Sequence, residues 1–303
     1  MKIAVIDLGT NTFHLIIAEK NGSQTPQVVF KTNKPVKLGE DITKANLIIQ
    51  AAFERGIACL KEFKAIADRF GVSQIKAMAT SGVRSAHNGS EFVKEARIQA
   101  GINIEVIDGE QEATYIYEGV KWSGAITGKS LIMDIGGGST EFILCSEEKV
   151  IWKKSYNIGA ARLMQRFFKS DPINEHDKQA ILTHLAEELE ALKAICKEHK
   201  PQTLIGSAGA FETFAGMIDP MLDIDHVATA NISLEAYQKL SHQLIKATHQ
   251  ERANMPRLIP LRVDMIVMAS ILTNYVLSEL GIAQMKLSTY DLKMGVLASL
   301  SNQ

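Results

Sequence analysis

The sequence predicts an α/β protein of two duplicated domains, each built on a mixed sheet, with a cleft between them. Three features lead there. Strand and helix signals alternate along the whole chain. A turn of the form Asp-apolar-Gly between apolar strands occurs twice, as "DLGTNT" at 7–12 and as "DIGGGSTE" at 134–141. The second aspartate, Asp134, stands 127 residues after Asp7, and aligning the two sets Leu8 against Ile135, Gly9 against Gly136 and Thr12 against Ser139. The apolar runs that follow, "LII" and "FIL", fall together as well, so one structural unit is used twice. Two such halves face to face would leave a cleft, a favoured place for a ligand.

The elements follow in order. "KIAVID" and "FHLIIAEK" are strands on either side of the first turn, and "QVVFKTNKPVKL" extends the strand-rich opening. Apolar residues at Leu47, Ile48, Ala51, Ala52, Leu60, Phe63, Ala67 and Phe70 are helically spaced over 44–70, with Gly71 as the stop. "IKAMAT" is a short buried strand. "SEFVKEARIQA" is a helix with Ser90 as N-cap and Gly101 as terminator. "INIEVI" is a strand, and "DGEQEATYIYEGV" begins a helix with Asp108 and Gln111 spaced as a capping box. The pattern then restarts. "SLIMDIGGGSTEFILCS" is strand, glycine turn and strand, and "KVIWKKSYNI" adds a third strand. Ile181, Leu185, Leu189, Leu192 and Cys196 form one stripe of a helix over 175–199, and "TLIGSAGAFETFA" runs from strand through a small-residue turn into a helix. The boundary between domains is expected near 118–123, giving domains of 1–120 and 121–290.

Bulk properties narrow the function classes. The chain has 303 residues, 46% of them hydrophobic and 22% charged, which suits a globular protein with a full core. A net charge of −1 excludes global electrostatic capture of DNA, RNA or a membrane, so a polyanion would need a local basic cluster. Cys59, Cys145 and Cys196 are too sparse for a disulfide framework or a metal knuckle, which points to a reducing compartment. Asp7 and Asn11 interrupt the first apolar run, and no stretch approaches the ~20 apolar residues of a membrane span. The expected location is cytoplasmic.

The repeated turn suits phosphate. Small residues let main-chain N–H groups approach phosphate oxygens, and several pointing one way form an anion nest. Ser139 and Thr140, or Thr10 and Thr12, add hydroxyl donors. Asp7 or Asp134 would repel a phosphate directly, so each makes better sense holding a divalent cation or a water on it. The runs "WKK" (152–154) and "RLMQRFFK" (162–169) fit either an exit for a polyanion tail or ordinary solvated faces. Trp122 and Trp152 read as packing residues and the eight histidines as structural or surface residues.

With these residues assembled, the chain resembles the exopolyphosphatase and guanosine pentaphosphate phosphatase family, of the actin, sugar-kinase and chaperone-ATPase superfamily. The strongest segments are "AVIDLGTNTFHLIIAE" (4–19), "MATSGVRSAHNG" (78–89), "VIDGEQEATYIYEGV" (106–120) and "LIMDIGGGSTEFIL" (131–144), in family order. "LIGSAGAFETFA", "LIPLRVDMIVMASIL" and "LSTYDLKMGVL" are weaker echoes. The resemblance implies actin-like (ribonuclease H-like) domains, with a last helix over 291–303 returning to the first. It implies Mg²⁺, or another divalent cation, and hydrolysis of the terminal phosphate of polyphosphate or guanosine pentaphosphate by water, without a covalent intermediate. Glu112, 22 residues before Asp134, matches the catalytic glutamate, and Arg84 the phosphate-binding arginine. Asn11, Thr12, Gly136, Gly137, Gly138 and Ser139 match the phosphate cradle, and Asp134 with Glu141 the metal site. Asp7, Gly9, Thr10, Gly206 and Gly209 are secondary candidates. Relatives often carry further C-terminal helical domains that grip long polyphosphate, which leaves processivity on long chains open, and homodimers are common among them. The third glycine turn departs from the family's Gly-x-Gly-Gly-Thr, reading Gly206-Ser207-Ala208-Gly209-Ala210, and Glu212 beyond it has no assigned role. Two other classes remain open: an alarmone or polyphosphate sensor that binds without hydrolysis, and a small-molecule kinase of the same fold.

Overall fold

A computed structural model describes residues 1–20, 26–207 and 209–301. Ala208 of the third glycine turn and the last two residues of the expected 291–303 helix lie outside the described residues. The chain divides into two compact units: Met1–Gly119 with Gly136–Gly138 and Leu292–Gln303, and Val120–Ile135 with Ser139–Asp291.

In the first unit, β1 (Lys2–Leu8), β2 (Phe13–Glu19) and β3 (Gln27–Lys34) are followed by α1 (Ile42–Ala45), α2 (Gln50–Arg69) and β4 (Gln74–Ala79). Then come α3 (Ser81–Arg84), α4 (Gly89–Ala100), β5 (Ile104–Val106) and α5 (Gly109–Ser123), within which the division into units falls. The second unit holds β6 (Ser130–Ile135), β7 (Thr140–Cys145), β8 (Val150–Tyr156), α6 (Ala160–Phe167), α7 (Glu175–Glu188), α8 (Glu190–His199), β9 (Thr203–Ser207) and α9 (Gly209–Ile218). It continues through β10 (Thr229–Ile232), α10 (Leu234–Lys246), α11 (His249–Ala253), α12 (Met265–Leu280) and β11 (Gln284–Ser288). The last helix, α13 (Leu292–Ser301), groups with the first unit.

The sheets confirm the α/β class and the duplication. The first runs β3-β2-β1-β4-β5 and the second β10-β11-β9-β6-β7-β8. Read from β8, the second repeats the first (β8-β7-β6-β9-β11) and adds β10 at the far edge. In both, the first three strands pair antiparallel and the next joins the central strand in parallel. Such parallel additions need helical crossovers, which is why α2 and the α6–α8 segment lie between the strands they link. In the first unit, Phe63 of α2 and Phe92 of α4 are fully buried with Leu8, Phe13 and Leu15 of the sheet. In the second, α12 is apolar almost all round and lies buried with Phe142, Leu144, Phe211 and Phe214.

Local expectations needed three adjustments. The helix over 44–70 is two pieces, because Asn46 adopts a left-handed conformation (φ 50°) and Ile49 is extended. A two-way clasp holds that break: the Asn88 amide accepts from Ile48 N and donates to Ile48 O, both at 2.9 Å. Asn88, not Ser90, occupies the N-cap of α4, its side chain already committed to the clasp. The helix over 175–199 is interrupted at Leu189, although Leu189 N and Lys193 N keep their bonds to carbonyls one turn back. Gly71 and Gly101 end their helices at positive φ.

One buried charge ties the second unit together. Arg252 is fully buried, yet all three of its nitrogens are met. Nε donates to Val263 O at 2.7 Å, Nη1 to Ala247 O, and Nη2 to Asp171 at 2.8 Å and Asp264 at 3.1 Å. The three cysteines are free thiols, and burial pushes each up to about 12 from an ordinary 9.0. They should resist a thiolate-directed reagent such as dithionitrobenzoate at pH 8 until the protein unfolds; a stoichiometric fast phase in the folded state would contradict the burial. Arg252→Ala leaves the carbonyls of Val263 and Ala247 without this donor and removes the cation from Asp171 and Asp264, so a loss of about 3 kcal/mol in urea-unfolding stability is expected.

Candidate active site

The sequence-predicted residues assemble into three local clusters. Two belong to the first unit and one to the second.

The first cluster is an ion pair. Glu112 lies in the first turn of α5, where a negative charge meets the positive end of the helix dipole. The same turn is fixed by Asp108 Oδ1, which accepts from Gln111 N at 2.7 Å. Glu112 is only 6% exposed, so its charge needs a local partner. Arg84, at the end of α3, supplies it: Nη1 donates to Glu112 Oε2 at 3.0 Å and to Ile107 O at 2.7 Å. β4 and α3 deliver Arg84, β5 and α5 deliver Glu112, and the bond to Ile107 O pins the guanidinium to the segment between β5 and α5. Among the described residues, Nε and Nη2 of Arg84 meet no protein acceptor, and the side chain stays one-quarter exposed.

The second cluster is a tight hydroxyl-lined turn. Thr10 is buried, and its Oγ1 lies 3.0 Å from Ser81 Oγ. Its carbonyl accepts from Gly39 N and that of Asn11 from Lys37 N, which fixes the backbone of the first turn. Asn11 and Thr12 are half-buried beside it. Gly136–Gly138 group with this unit, and Gly137 and Gly138 leave no room for side chains. A Cβ on Gly137 would stand 3.1 Å from Thr10 Cβ, and one on Gly138 would stand 2.5 Å from Ser81 Oγ and 2.8 Å from Thr10 Oγ1. Gly9 is held the same way, because a Cβ there would meet Thr12 O at 2.8 Å. Both glycine turns thus contribute to one small-residue surface rich in hydroxyls and main-chain groups.

The third cluster lies in the second unit. Asp134 is near the end of β6, Glu141 near the start of β7, and the two are directly opposite in the antiparallel register. Asp134 Oδ2 accepts from Ser207 Oγ at 2.8 Å, and Glu141 Oε1 accepts from Ser155 Oγ at 2.6 Å. Like charges directly opposite destabilise a sheet, and Glu141 is 2% exposed. This donor set, two acidic groups facing each other at strand ends, fits a hard divalent cation, which would offset the repulsion. Among the described residues no third His, Cys, Asp or Glu gathers with them.

Of the secondary candidates, Thr10 and Gly9 belong to the second cluster, and Asp7, Gly206 and Gly209 lie apart from it. Asp7 is opposite His14 and Met78, so it faces no second carboxylate in its sheet register. Gly206 is a close-approach position, since a Cβ there would run into the Phe211 ring. Gly209 opens α9 at a positive φ of 46°. Glu212 is paired 3.7 Å from Arg262, whose guanidinium also donates to Thr213 Oγ1. Burial lowers the Arg262 pKa from its ordinary value, with Glu212 opposing that shift. The sequence pattern gave no sign of Ser81, Ser155 and Ser207, three serines in contact with the candidates. Only the tertiary fold brings them there.

A model of the Ppx/GppA phosphatase family matches residues 15–303. The chain belongs to that family. This Ppx/GppA phosphatase is 32% identical over 300 residues to a provisionally named exopolyphosphatase of Haemophilus influenzae, covering 99% of this chain and 91% of that protein. It is 27% identical over 301 residues to a guanosine-5'-triphosphate,3'-diphosphate pyrophosphatase of Aeromonas hydrophila, covering 98% of this chain but 59% of that one. Its fold superposes on the crystal structure of an exopolyphosphatase from Cytophaga hutchinsonii with a TM-score of 0.96, at 34% identity over 100% of this chain and 98% of the other. The Ppx/GppA structure from Aquifex aeolicus gives 0.82 at 27% identity, covering 99% of each chain. Among the described residues, no helix is long and apolar enough to cross a membrane.

Gly138→Ala tests the small-residue surface of this phosphatase. The turn must shift to admit the methyl group, so phosphatase turnover should fall about tenfold to a hundredfold. Ser81→Gly in the same chain should recover part of the loss, as read from orthophosphate release.

Proposed function

We propose that this phosphatase removes the terminal phosphate of inorganic polyphosphate or of guanosine pentaphosphate by base-assisted attack of water, with a divalent cation, Mg²⁺ by preference. The observation that carries this reading is the Arg84–Glu112 pair: a buried carboxylate at a helix start, held in one orientation by a guanidinium that retains further donors.

Hydrolysis of a phosphoanhydride asks for alignment and charge stabilisation more than for covalent chemistry. Glu112 is the base that takes the proton of the attacking water as the new P–O bond forms. Arg84 has two tasks, holding Glu112 through Nη1 and presenting Nε and Nη2 to phosphate oxygens. Thr10, Asn11, Thr12 and Gly136–Gly138 offer main-chain and hydroxyl donors to the phosphate chain, with Ser139 as a further hydroxyl. Asp134 and Glu141 would hold the cation, which when bound neutralises phosphate charge and polarises the bond to the leaving group. Similarity to the exopolyphosphatases of Haemophilus influenzae and Cytophaga hutchinsonii favours polyphosphate, and similarity to the Aeromonas hydrophila pyrophosphatase favours the guanosine substrate.

The test is orthophosphate release from polyphosphate and from guanosine pentaphosphate in Mg²⁺. Glu112→Gln keeps the shape and removes the base, so kcat should fall about 10²- to 10⁴-fold with substrate binding retained. Full activity in that variant would remove Glu112 from the mechanism. Binding by the wild-type protein with no release on either substrate would make it a sensor.

A further inference from the structure

The carboxylate pair of the second unit sits in a longer row. Ser207 of β9 is the register partner of Asp134, Asp134 of Glu141, and Glu141 of Ser155 on β8. Side chains directly opposite in adjacent strands share a face, so the row places one hydroxyl outside each carboxylate. Each hydroxyl is bonded to its neighbour: Ser207 Oγ donates to Asp134 Oδ2 at 2.8 Å and Ser155 Oγ to Glu141 Oε1 at 2.6 Å.

We infer that Ser207 and Ser155 are positioning residues that fix one oxygen each of Asp134 and Glu141 and thereby set the affinity of this pair for a divalent cation. The inference rests on the reading of Asp134 and Glu141 as the cation site.

The geometry gives each serine a definite effect. A carboxylate at a strand end can rotate about its terminal torsion, which has a broad energy well. A donor fixed to the neighbouring strand removes that freedom before the ion arrives. Ser207 is almost fully buried at the end of β9, so its hydroxyl is held against Asp134 with little room to turn elsewhere. The donated hydrogen bond also stabilises the negative charge of a pair that repels itself. It draws some charge away from the oxygen it touches, a cost to cation binding, but the gain in orientation outweighs it: removing such outer partners from metal ligands lowers affinity 10- to 100-fold. The first sheet supplies a contrast within the same chain. There, the equivalents of Glu141 and Ser207 are His14 and Met78, so Asp7 has neither a facing carboxylate nor a hydroxyl on the parallel strand.

The experiment measures Mn²⁺ binding to the full chain, as the loss of free-ion paramagnetic resonance signal, independently of turnover. Asp134→Asn should abolish binding. Ser155→Ala and Ser207→Ala should each raise the Kd about 10- to 100-fold, and Ser155→Thr, which restores a hydroxyl, should return it to within about threefold of wild type. If Asp134→Asn loses the ion while both alanine variants bind it like wild type, the serines have no positioning role and the cation site stands. If Asp134→Asn binds like wild type, the cation reading fails and the inference with it. Should Ser207→Ala fail to fold, the comparison of Ser155→Ala with Ser155→Thr decides alone.

Discussion

A carboxylate taken out of water must be met by donors or by opposite charge, and the candidate site is built around that requirement. Glu112 and Glu141 are both almost wholly buried, and Asp134 is partly so. Each is met by a side chain from a different element: Arg84 from α3, Ser155 from β8 and Ser207 from β9. None of these donors is a sequence neighbour of its acid, so each acid is held in its orientation only when the sheets and crossovers are complete. The functional groups are thereby tied to the fold. Partial unfolding of β8 or α3 would expose a carboxylate and release its orientation together.

The choice of partner also separates the acids by role. A guanidinium brings full positive charge, strengthens its hydrogen bond to the carboxylate and has donors to spare. A serine hydroxyl brings only a dipole. Two acids facing each other, each bonded to a hydroxyl, form a donor set that fits a hard cation better than an anion. The acids thus differ in what meets them: Glu112 a full positive charge, Asp134 and Glu141 the dipoles of hydroxyls.

Much of this was legible in the amino-acid order, and the reasons are physical. The duplicated turn could be read because glycine is needed where backbones or hydroxyls approach closely, as Gly9, Gly137 and Gly138 do. The matching strand orders then showed that the repeat extends through five strands of each sheet, not merely through the turn. Asp134 and Glu141 could be paired in advance because a tight antiparallel turn links their strands. The supporting serines were invisible, since Ser207 lies 73 positions from Asp134 and Ser155 14 positions from Glu141. The break before α2 was hidden for the same reason. Asn46 and the apolar residues after it continue a helical pattern, and only the distant Asn88 amide holds Ile48 out of the helix.

The duplication then explains why the site is asymmetric. Both copies keep the strand order and the aspartate at the end of the central strand, because those features follow from the fold. The flanking positions are free to differ, and here they do: histidine and methionine beside Asp7, glutamate and serine beside Asp134. A second carboxylate opposite Asp7 would add repulsion to the first sheet, where Glu112 and Arg84 already form the charged centre of the unit. The facing acid pair is confined to one copy, while the first unit holds its buried glutamate against a guanidinium. The two halves of the repeat thus share a strand order while differing in the side chains that flank the aspartate of the central strand.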